Sequence, residues 1–270
     1  MRFSCRPLND GDSTALTELL EAGGPMDAYL LDALAAGGIG GFFGAWDGPA
    51  LGGAVFLRRG AISAAARTSR SASYALAATA SARGPWSSIV GPEEPCRALA
   101  EALRTSAPFR VDRVQAFMAA SRGDPLGPGE AGLRRATMAD LGALVPLVAR
   151  YRVEDGLSAP EDDHTAWIRA HTAERITVRL LWVVEQAGRI VFTAAYNFAG
   201  PRGAGVGGVY TIPEARGRGI AGRAMADLAR IALEEGPVVT LHVDPRNAAA
   251  IRAYEKAGLR RAGEFRLTFR

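Results

Sequence analysis

The sequence predicts an α+β fold in which helices cover a mixed β-sheet, and it predicts two tandem copies of that fold. The chain has 270 residues, which is enough for two domains of ordinary size. In residues 132–270 the apolar patterns follow the order β-α-α-β-β-β-α-β-α-β, which combines an antiparallel meander with crossover connections. The patterns in the first half follow nearly the same order. This similarity indicates a duplication, although no residue-level identity supports it.

Glycine and proline concentrate in the segment that separates the two halves. Residues 121–130 read SRGDPLGPGE, and such a composition prevents either a helix or a strand from continuing. We therefore predict an N-terminal domain over residues 1–122, a linker over 123–131 and a second domain over 132–270.

The elements of the second domain follow from apolar spacing and turn residues. Asp140 is placed to cap a helix, and Pro160 followed by three acids suits the start of another. The glycine within Gln186–Arg189 indicates a tight turn between two strands. The predicted helices are one that begins at Asp140 and those over 160–175, 221–235 and 248–257. The predicted strands cover 133–136, 177–185, 190–197, 206–212, 238–243 and 264–269.

The first half has weaker patterns. Residues 61–82 are rich in Ala and Ser and have almost no large apolar side chain, which indicates either a poorly packed helix with flanking coil or an edge of the sheet. The predicted helices cover 13–20, 26–35 and 93–104, and the predicted strands cover 41–46, 51–58, 86–90 and 111–118.

Composition excludes several classes of protein. Hydrophobic residues make up 48% and charged residues 22%, which excludes wholesale disorder. No run approaches the roughly 18 apolar residues of a membrane-spanning helix, so we expect no membrane partner. Cys5 and Cys96 lie far apart, which argues against a disulfide scaffold or zinc ribbon and favours a cytoplasmic location.

Charge is unequal between the halves. Residues 1–130 carry 12 basic and 13 acidic side chains, whereas residues 131–270 carry 20 basic and 15 acidic ones. The basic residues of the second half do not form a long stripe interleaved with aromatic residues. They therefore favour an anionic ligand over a nucleic-acid partner.

A glycine-rich segment in the second half has the chemistry of a phosphate site. Gly217, Gly219 and Gly222 allow several backbone N–H groups to point into one concavity, next to the first turn of a predicted helix. Arg216 and Arg218 add positive charge. A pyrophosphate is the ligand that such a segment suits.

The same glycines match the Gly-x-Gly-x-x-Gly fingerprint of dinucleotide-binding proteins, and Asp244 follows about twenty residues later. Two features oppose an NAD-dependent oxidoreductase. Pro213–Arg216 separate the strand from the first glycine, and fewer than 50 residues remain for further βα units.

A second motif follows one predicted strand later. Asn247 stands at the start of a helix, and Tyr254 lies about two turns further, on the same face as Ile251. The two motifs together resemble the GNAT superfamily of acyl-CoA-dependent N-acetyltransferases. The family's signature Arg/Gln-x-x-Gly-x-Gly/Ala is found as Arg216-Gly-Arg-Gly-Ile-Ala. Its later signature, Asn-x-x-Ala-x-x-x-Tyr-x-x-x-Gly-Phe, is found at Asn247, Ala250, Tyr254, Gly258 and Leu259, with Leu in place of Phe.

The resemblance implies the acyl-CoA N-acyltransferase (GNAT) fold and the transfer of acetyl from acetyl-CoA to a primary amine, without a metal. It implies that Tyr254 protonates the departing thiolate and that the strand over 238–243 parts from its neighbour. The residues that it implies for coenzyme binding are Tyr210, Thr211, Ile212, Arg216, Gly217, Arg218, Gly219, Ile220, Ala221, Gly222 and Asn247.

The first half resembles the degenerate N-terminal copy of tandem GNAT proteins of the mycothiol synthase type. Its nearest approach to the phosphate segment is Val90-Gly91-Pro92, which Glu93 and Glu94 follow. Two acids at a helix start would repel a phosphate. We therefore expect this half either to support the second domain or to form a wall of the acceptor pocket.

The sequence departs from the family at the general base. Many relatives carry an acid on the central strand where this chain has Gly207 and Gly208. The missing acid leaves a non-catalytic acyl-CoA-binding module as the alternative function. The amine acceptor, a small molecule or a peptide, and the oligomeric state are both open. The remaining candidates for the base are Glu185, Tyr196, Tyr210, Glu214 and His242.

We expect no functional role for two further pairs of side chains. His164 and His171 are seven residues apart, whereas metal ligation from a helix favours a spacing of four, so we expect a solvated face there. Trp167 and Trp182 are predicted to be core residues.

Overall fold

The computed structural model of the chain describes residues 3–104 and 109–270. These residues divide into two compact units. The first unit contains the described residues of Met1–Met118 together with His242–Pro245 and Arg261–Arg270, and the second contains Ala119–Leu241 and Arg246–Arg260. Each unit is a mixed β-sheet with helices, which confirms the predicted fold class.

The described residues of the first half form six strands and four α-helices. Its strands are β1 (Ser4–Pro7), β2 (Phe42–Asp47), β3 (Ala50–Arg58), β4 (Ala61–Ala64), β5 (Ser88–Pro92) and β6 (Val111–Ser121). Its helices are α1 (Ser13–Ala22), α2 (Ala28–Gly37), α3 (Arg70–Ser81) and α4 (Glu93–Ala102).

Helices cover both faces of the first unit's sheet. Phe42 and Ala54 belong to a buried cluster that includes residues of α1 and α2, whereas Phe43 and Val55 belong to one that includes residues of α3 and α4. Successive side chains of a strand point to opposite faces, so the two clusters lie on opposite sides of β2 and β3.

The Ala/Ser-rich stretch is better packed than its composition suggested. Residues 61–82 form β4, which lies between β3 and β5, and the 12-residue helix α3. Ala72, Leu76, Ala77 and Ala80 on α3 are buried. Small side chains permit this close helix packing, so the prediction of a poorly packed helix or an edge strand was wrong.

The second half forms six strands and four α-helices among the described residues. Its strands are β7 (Leu133–Arg135), β8 (Leu181–Gln186), β9 (Arg189–Gly200), β10 (Gly203–Thr211), β11 (Val238–Val243) and β12 (Arg260–Phe269). Its helices are α5 (Leu141–Glu154), α6 (Thr165–Thr177), α7 (Ile220–Glu235) and α8 (Ala248–Ala257). In the second unit the strand order is β11-β10-β9-β8-β7, with β10 and β11 parallel.

In this half, one predicted strand boundary and one predicted core residue were wrong. The strand predicted to begin at residue 177 begins at Leu181, because α6 continues to Thr177 and Arg179 then turns the chain with φ of 60°. Trp167, predicted to be a core residue, lies on α6 with 51% of its surface exposed and is covered on its faces by Arg152 and His171. Trp182 is buried, as predicted.

The last strand belongs to the first unit. β12 pairs antiparallel with β5, from Phe265 opposite Pro92 to Phe269 opposite Ser88. The Arg266 guanidinium lies 3.1 Å from Glu93 and 2.8 Å from Asp112. The C-terminal strand of the chain therefore completes a sheet built from N-terminal residues. The domain limits drawn from the sequence at residues 122 and 132 stay a prediction.

The two halves share the same order of elements and an equivalent arginine–aspartate pair. In both, the described elements follow the order β-α-α-β-β-β-α-β-α-β. Arg6 donates two hydrogen bonds to Asp12, of 2.6 and 2.7 Å, and Arg134 donates two to Asp140, both of 2.8 Å. Each aspartate also closes a capping box at the turn before the first helix. This shared arginine–aspartate pair is residue-level support for two tandem copies.

No helix in residues 3–104 and 109–270 is both long and apolar enough to span a membrane.

Candidate active site

A cleft of about 740 Å³ opens in the second unit. Its walls come from the C-terminal end of α5, from the end of β10, from the loop that leads to α7, and from α7 and α8. All of its lining residues lie between Pro128 and Lys256.

A distortion of β10 places its last residues in this cleft. The ladder between β9 and β10 shifts register between Gly205 and Val206 and again between Gly207 and Tyr210. Gly208 has φ of 61°, a left-handed conformation that favours glycine, so this residue suits the bulge. On the other side of β10, the parallel ladder to β11 ends at Val206 and Leu241. Gly208 thus has a backbone role in this strand.

The glycine-rich loop forms the N-terminal end of α7. Gly217 and Gly219 have φ of 78° and 74°, which only glycine adopts readily. Gly219 is the N-cap of α7, and because it has no side chain it offers no cap to the first-turn N–H groups. Ile220, Ala221 and Gly222 of that first turn line the cleft. The helix end therefore presents backbone donors and its positive dipole to the cleft, an arrangement suited to a phosphate.

Arg216 is held in the cleft by two contacts. Its Nε donates to the Thr211 carbonyl oxygen at 3.0 Å, and its Nη2 donates to Glu154 Oε2 at 2.6 Å. The other carboxylate oxygen of Glu154 accepts a 2.7 Å hydrogen bond from the Tyr210 hydroxyl. The Arg216 guanidinium also lies 5.4 Å from the centre of the Tyr210 ring.

Sequence reasoning missed Glu154. It is the last residue of α5, within a polar run that belongs to neither motif, and nothing local marks it as a site residue. Burial raises the pKa of Glu154, but the hydrogen bonds from Tyr210 and Arg216 outweigh burial and bring that pKa below its ordinary value. Glu154 is therefore a carboxylate at neutral pH.

The charge of the cleft is positive. Among the described residues, four cations and two carboxylates line it. The cations are Arg216, Arg223, Arg252 and Lys256, and the carboxylates are Glu154 and Asp155. This balance favours an anionic ligand.

Tyr254 and Asn247 reach the cleft from α8. Tyr254 is 6% exposed, and burial raises the pKa of its phenol above the ordinary value. The phenol is therefore protonated at neutral pH and can act as a proton donor. Asn247 is the N-cap of α8, where its Oδ1 accepts from the Ala250 N–H at 3.1 Å. Its amide nitrogen carries the donors that the cap does not use.

The structure brings most of the predicted site residues together. Ile212 is buried and Arg218 is exposed, and neither lines the cleft. Their roles, like those of the other site residues, stay predictions. The predicted residues that do line the cleft are Tyr210, Thr211, Arg216, Gly217, Gly219, Ile220, Ala221, Gly222, Asn247 and Tyr254.

Two of the candidate bases are exposed carboxylates with arginine partners outside the cleft. Glu185 accepts from Arg134 at 2.6 Å, and Glu214 lies 3.6 Å from Arg189. Neither residue lines the cleft.

Three other candidate bases have engaged side chains. The buried Tyr196 hydroxyl donates to the Leu228 carbonyl at 2.7 Å. His242 is packed in the first unit, where its Nδ1 contacts Gln115 and burial lowers its pKa to about 4. Tyr210 lines the cleft, but its hydroxyl donates to Glu154.

His164 is the N-cap of α6, and His171 lies in the middle of that helix. His164 is 3.5 Å from Asp162, and His171 stacks on Trp167 with 5.0 Å between ring centres. Over residues 3–104 and 109–270, no group of three or more His, Cys, Asp or Glu side chains is placed to hold a metal ion.

Comparison with known proteins gives a family match for part of the chain and a fold for nearly all of it. Residues 143–259 match the model of the acetyltransferase (GNAT) family. No curated protein matches the chain.

Three solved structures are similar along nearly the whole chain. An acetyltransferase of the GNAT family from Colwellia psychrerythraea is 16% identical, with a TM-score of 0.56 and coverage of 100% of both chains. A GCN5-related N-acetyltransferase from Sphaerobacter thermophilus is 18% identical, with a TM-score of 0.57 and coverage of 99% of this chain and 95% of that one. A Drosophila protein is 15% identical, with a TM-score of 0.62 and coverage of 100% and 99%. At these identities the similarity concerns the fold, which is that of GNAT proteins over the whole chain.

Proposed function

We propose that this chain, whose residues 143–259 match the model of the acetyltransferase (GNAT) family, transfers an acetyl group from acetyl-CoA to a primary amine. The family match supports acyltransferase activity in general. One observation carries the finer proposal, namely the uncapped N-terminus of α7 with left-handed Gly217 and Gly219 beside Arg216, in a positively charged cleft. Such a site suits the diphosphate of a coenzyme A thioester.

The donor would be held by backbone groups as much as by side chains. The N–H groups of residues 219–222 and the Arg216 guanidinium would bind the diphosphate. The end of β10, which the bulge at Gly208 directs into the cleft, would offer backbone groups to the pantetheine arm. The Asn247 side-chain amide would donate to the same arm.

The reaction needs an oxyanion site and a proton donor. The amine nitrogen attacks the thioester carbonyl carbon, the carbonyl oxygen becomes an oxyanion, and the C–S bond then breaks to release a thiolate. Backbone N–H groups at the end of β10 would stabilise the oxyanion, a contribution on the order of 10²-fold in rate for each donor. The Tyr254 phenol would give its proton to the thiolate, and the nitrogen would lose its extra proton as the amide forms. That proton would return to the phenolate directly or through water, so that the phenol is restored for the next turnover.

The attacking amine must be neutral. Gly207 and Gly208 offer no carboxylate on the central strand, so we propose that the amine binds in its neutral form or loses its proton through water. A rate that rises with pH toward the pKa of the free amine acceptor would support binding of the neutral form.

A non-catalytic acyl-CoA-binding module is the second candidate. The glycines at 207 and 208, where many relatives have an acid, favour it. The protonated Tyr254 phenol in the cleft favours the enzyme.

One experiment separates the two. Release of free thiol from acetyl-CoA is measured against a panel of small-molecule and peptide amines, and CoA binding is measured by calorimetry on the same protein. Amine-dependent thiol release supports the transferase. CoA binding without turnover on any amine supports the binding module, and absence of CoA binding contradicts both.

A further inference from the structure

The Glu154 carboxylate contacts Arg216, the side chain that we propose to bind the diphosphate. It lies 2.6 Å from Arg216 Nη2, and the two side chains are 45% and 47% exposed, respectively. Glu154 and Arg216 are 62 residues apart in the chain, and α5 is not part of either family motif. The contact therefore joins two elements that are distant in the sequence.

The carboxylate is held from both sides. Oε1 accepts from the Tyr210 hydroxyl at 2.7 Å, while Oε2 accepts from Arg216. Tyr210 is itself 5% exposed and lies on β10, so one anchor of the carboxylate is a rigid strand. Glu154 thus stands at a defined place in the cleft and is more constrained than a freely moving surface acid.

A diphosphate and a carboxylate compete for the same guanidinium. Each is an anion that binds the planar donor fork of arginine, and two anions near one cation repel each other. We propose that Glu154 sets the affinity of the cleft for coenzyme A by competing with the diphosphate for Arg216, a role that rests on the proposed function. Moderate affinity favours release of the CoA product after each turnover, a step that limits many enzymes.

The variant Glu154→Gln tests this competition, because it removes the charge and keeps the shape. Glu255→Gln is the matched control, since Glu255 is an exposed acid on α8 that does not line the cleft. CoA affinity is measured by calorimetry at low salt and at about 0.5 M salt. We expect Glu154→Gln to bind CoA about two- to fivefold more tightly at low salt, the range typical of an exposed ion pair. The gain should shrink at high salt because salt screens the repulsion.

Kinetics provide a readout that a merely structural role would not move. The KM for acetyl-CoA should fall in Glu154→Gln in proportion to the CoA affinity, while the melting temperature stays within about 2 °C of wild type. Should Glu154→Gln fold poorly, Glu154→Ala serves as the second variant and should change CoA affinity in the same direction.

The outcomes distinguish this inference from the function on which it rests. Tighter binding in Glu154→Gln with no change in Glu255→Gln supports the competition. Equal or weaker CoA binding in Glu154→Gln, with normal binding in wild type, overturns the competition alone. A folded wild-type protein that binds no CoA overturns the proposed function and this inference together.

Discussion

The two halves of the chain differ at the loop before one pair of equivalent helices, α3 in the first unit and α7 in the second. In the first unit five residues separate β4 from α3, and in the second unit eight residues separate β10 from α7. Ser69 caps α3, and its Oγ accepts from the Ala72 N–H at 3.2 Å. Gly219, the N-cap of α7, has no side chain to do so.

The first unit also places an acidic side chain of its own at this loop. The buried Asp27 carboxylate accepts from the Ala66 N–H with both oxygens, at 2.9 and 3.0 Å. The sequence alone indicated Val90-Gly91-Pro92 as the nearest counterpart of the phosphate loop. The order of elements shows instead that the counterpart is residues 65–69, between β4 and α3. The comparison teaches that one fold gains a candidate anion site when its own side chains leave the helix N-terminus open.

The largest effect on CoA binding is expected from a substitution at the uncapped N-terminus of α7. Gly219→Glu places a bulky anion at a left-handed position, where even a Cβ atom would lie only 3.0 Å from Arg223 Nη1. The variant should abolish CoA binding, with a loss of at least about 100-fold, because the added negative charge repels the diphosphate. Gly188→Glu is the matched control, because Gly188 has φ of 75° and open space in the β8–β9 turn. Calorimetry with CoA reads both variants. CoA binding of normal affinity in Gly219→Glu would remove the loop from the site.

The second prediction concerns the buried acid of the first unit, Asp27. Burial raises the pKa of Asp27 from 3.8 to about 7 in the folded protein. The folded state thus holds this proton more tightly than the unfolded state, so stability is greatest below about pH 4 for this group and is lost as pH rises to about 7. The loss amounts to as much as about 4 kcal/mol.

Chemical denaturation between pH 4 and pH 8 checks this effect, compared with Asp27→Asn, which cannot ionise. The free energy of unfolding of wild type should decline relative to the variant across that range. A constant difference would contradict the raised pKa.

The third prediction tests the proton donor. Tyr254→Phe should lower kcat by about 100-fold or more while KM for acetyl-CoA changes little, because the phenol acts on the leaving thiolate. Tyr196→Phe is the control, since its buried hydroxyl bonds to the Leu228 carbonyl outside the cleft. An unchanged kcat in Tyr254→Phe would exclude this tyrosine from the mechanism.

The smallest effect is expected at the cap of α3. Ser69→Ala should lower the free energy of unfolding by about 1 kcal/mol, because the first turn of α3 loses its acceptor. Ser81→Ala, at the other end of α3, should change stability little. CoA stoichiometry should stay at one per chain in Ser69→Ala, because Asp27 still occupies the loop of the first unit. A second bound CoA would show that the Ser69 cap alone prevents CoA from binding to the first unit.

Much of the candidate site could be predicted because its signals are local. Glycines at 217 and 219 indicate left-handed backbone, and Asn247 and Gly258 mark the two ends of α8. Such preferences act within a few residues, so a single sequence expresses them. The element order of both halves follows from apolar periodicity for the same reason.

Glu154 and the last strand could not be predicted, because their partners are distant. Neither the polar end of α5 nor the sequence of β12 indicates which element it meets. His242 illustrates the same point, since a histidine on a strand next to the predicted cleft is packed against Gln115 in the first unit.

The sequence by itself determined the tandem α+β architecture and the left-handed glycines at the open end of α7, since backbone conformation depends on neighbouring residues. Tertiary structure alone decided that Glu154 meets Arg216 and Tyr210 and that β12 pairs with β5. Contacts between elements depend on how whole strands and helices pack, and the free energy of that packing is spread over many residues rather than encoded at one position.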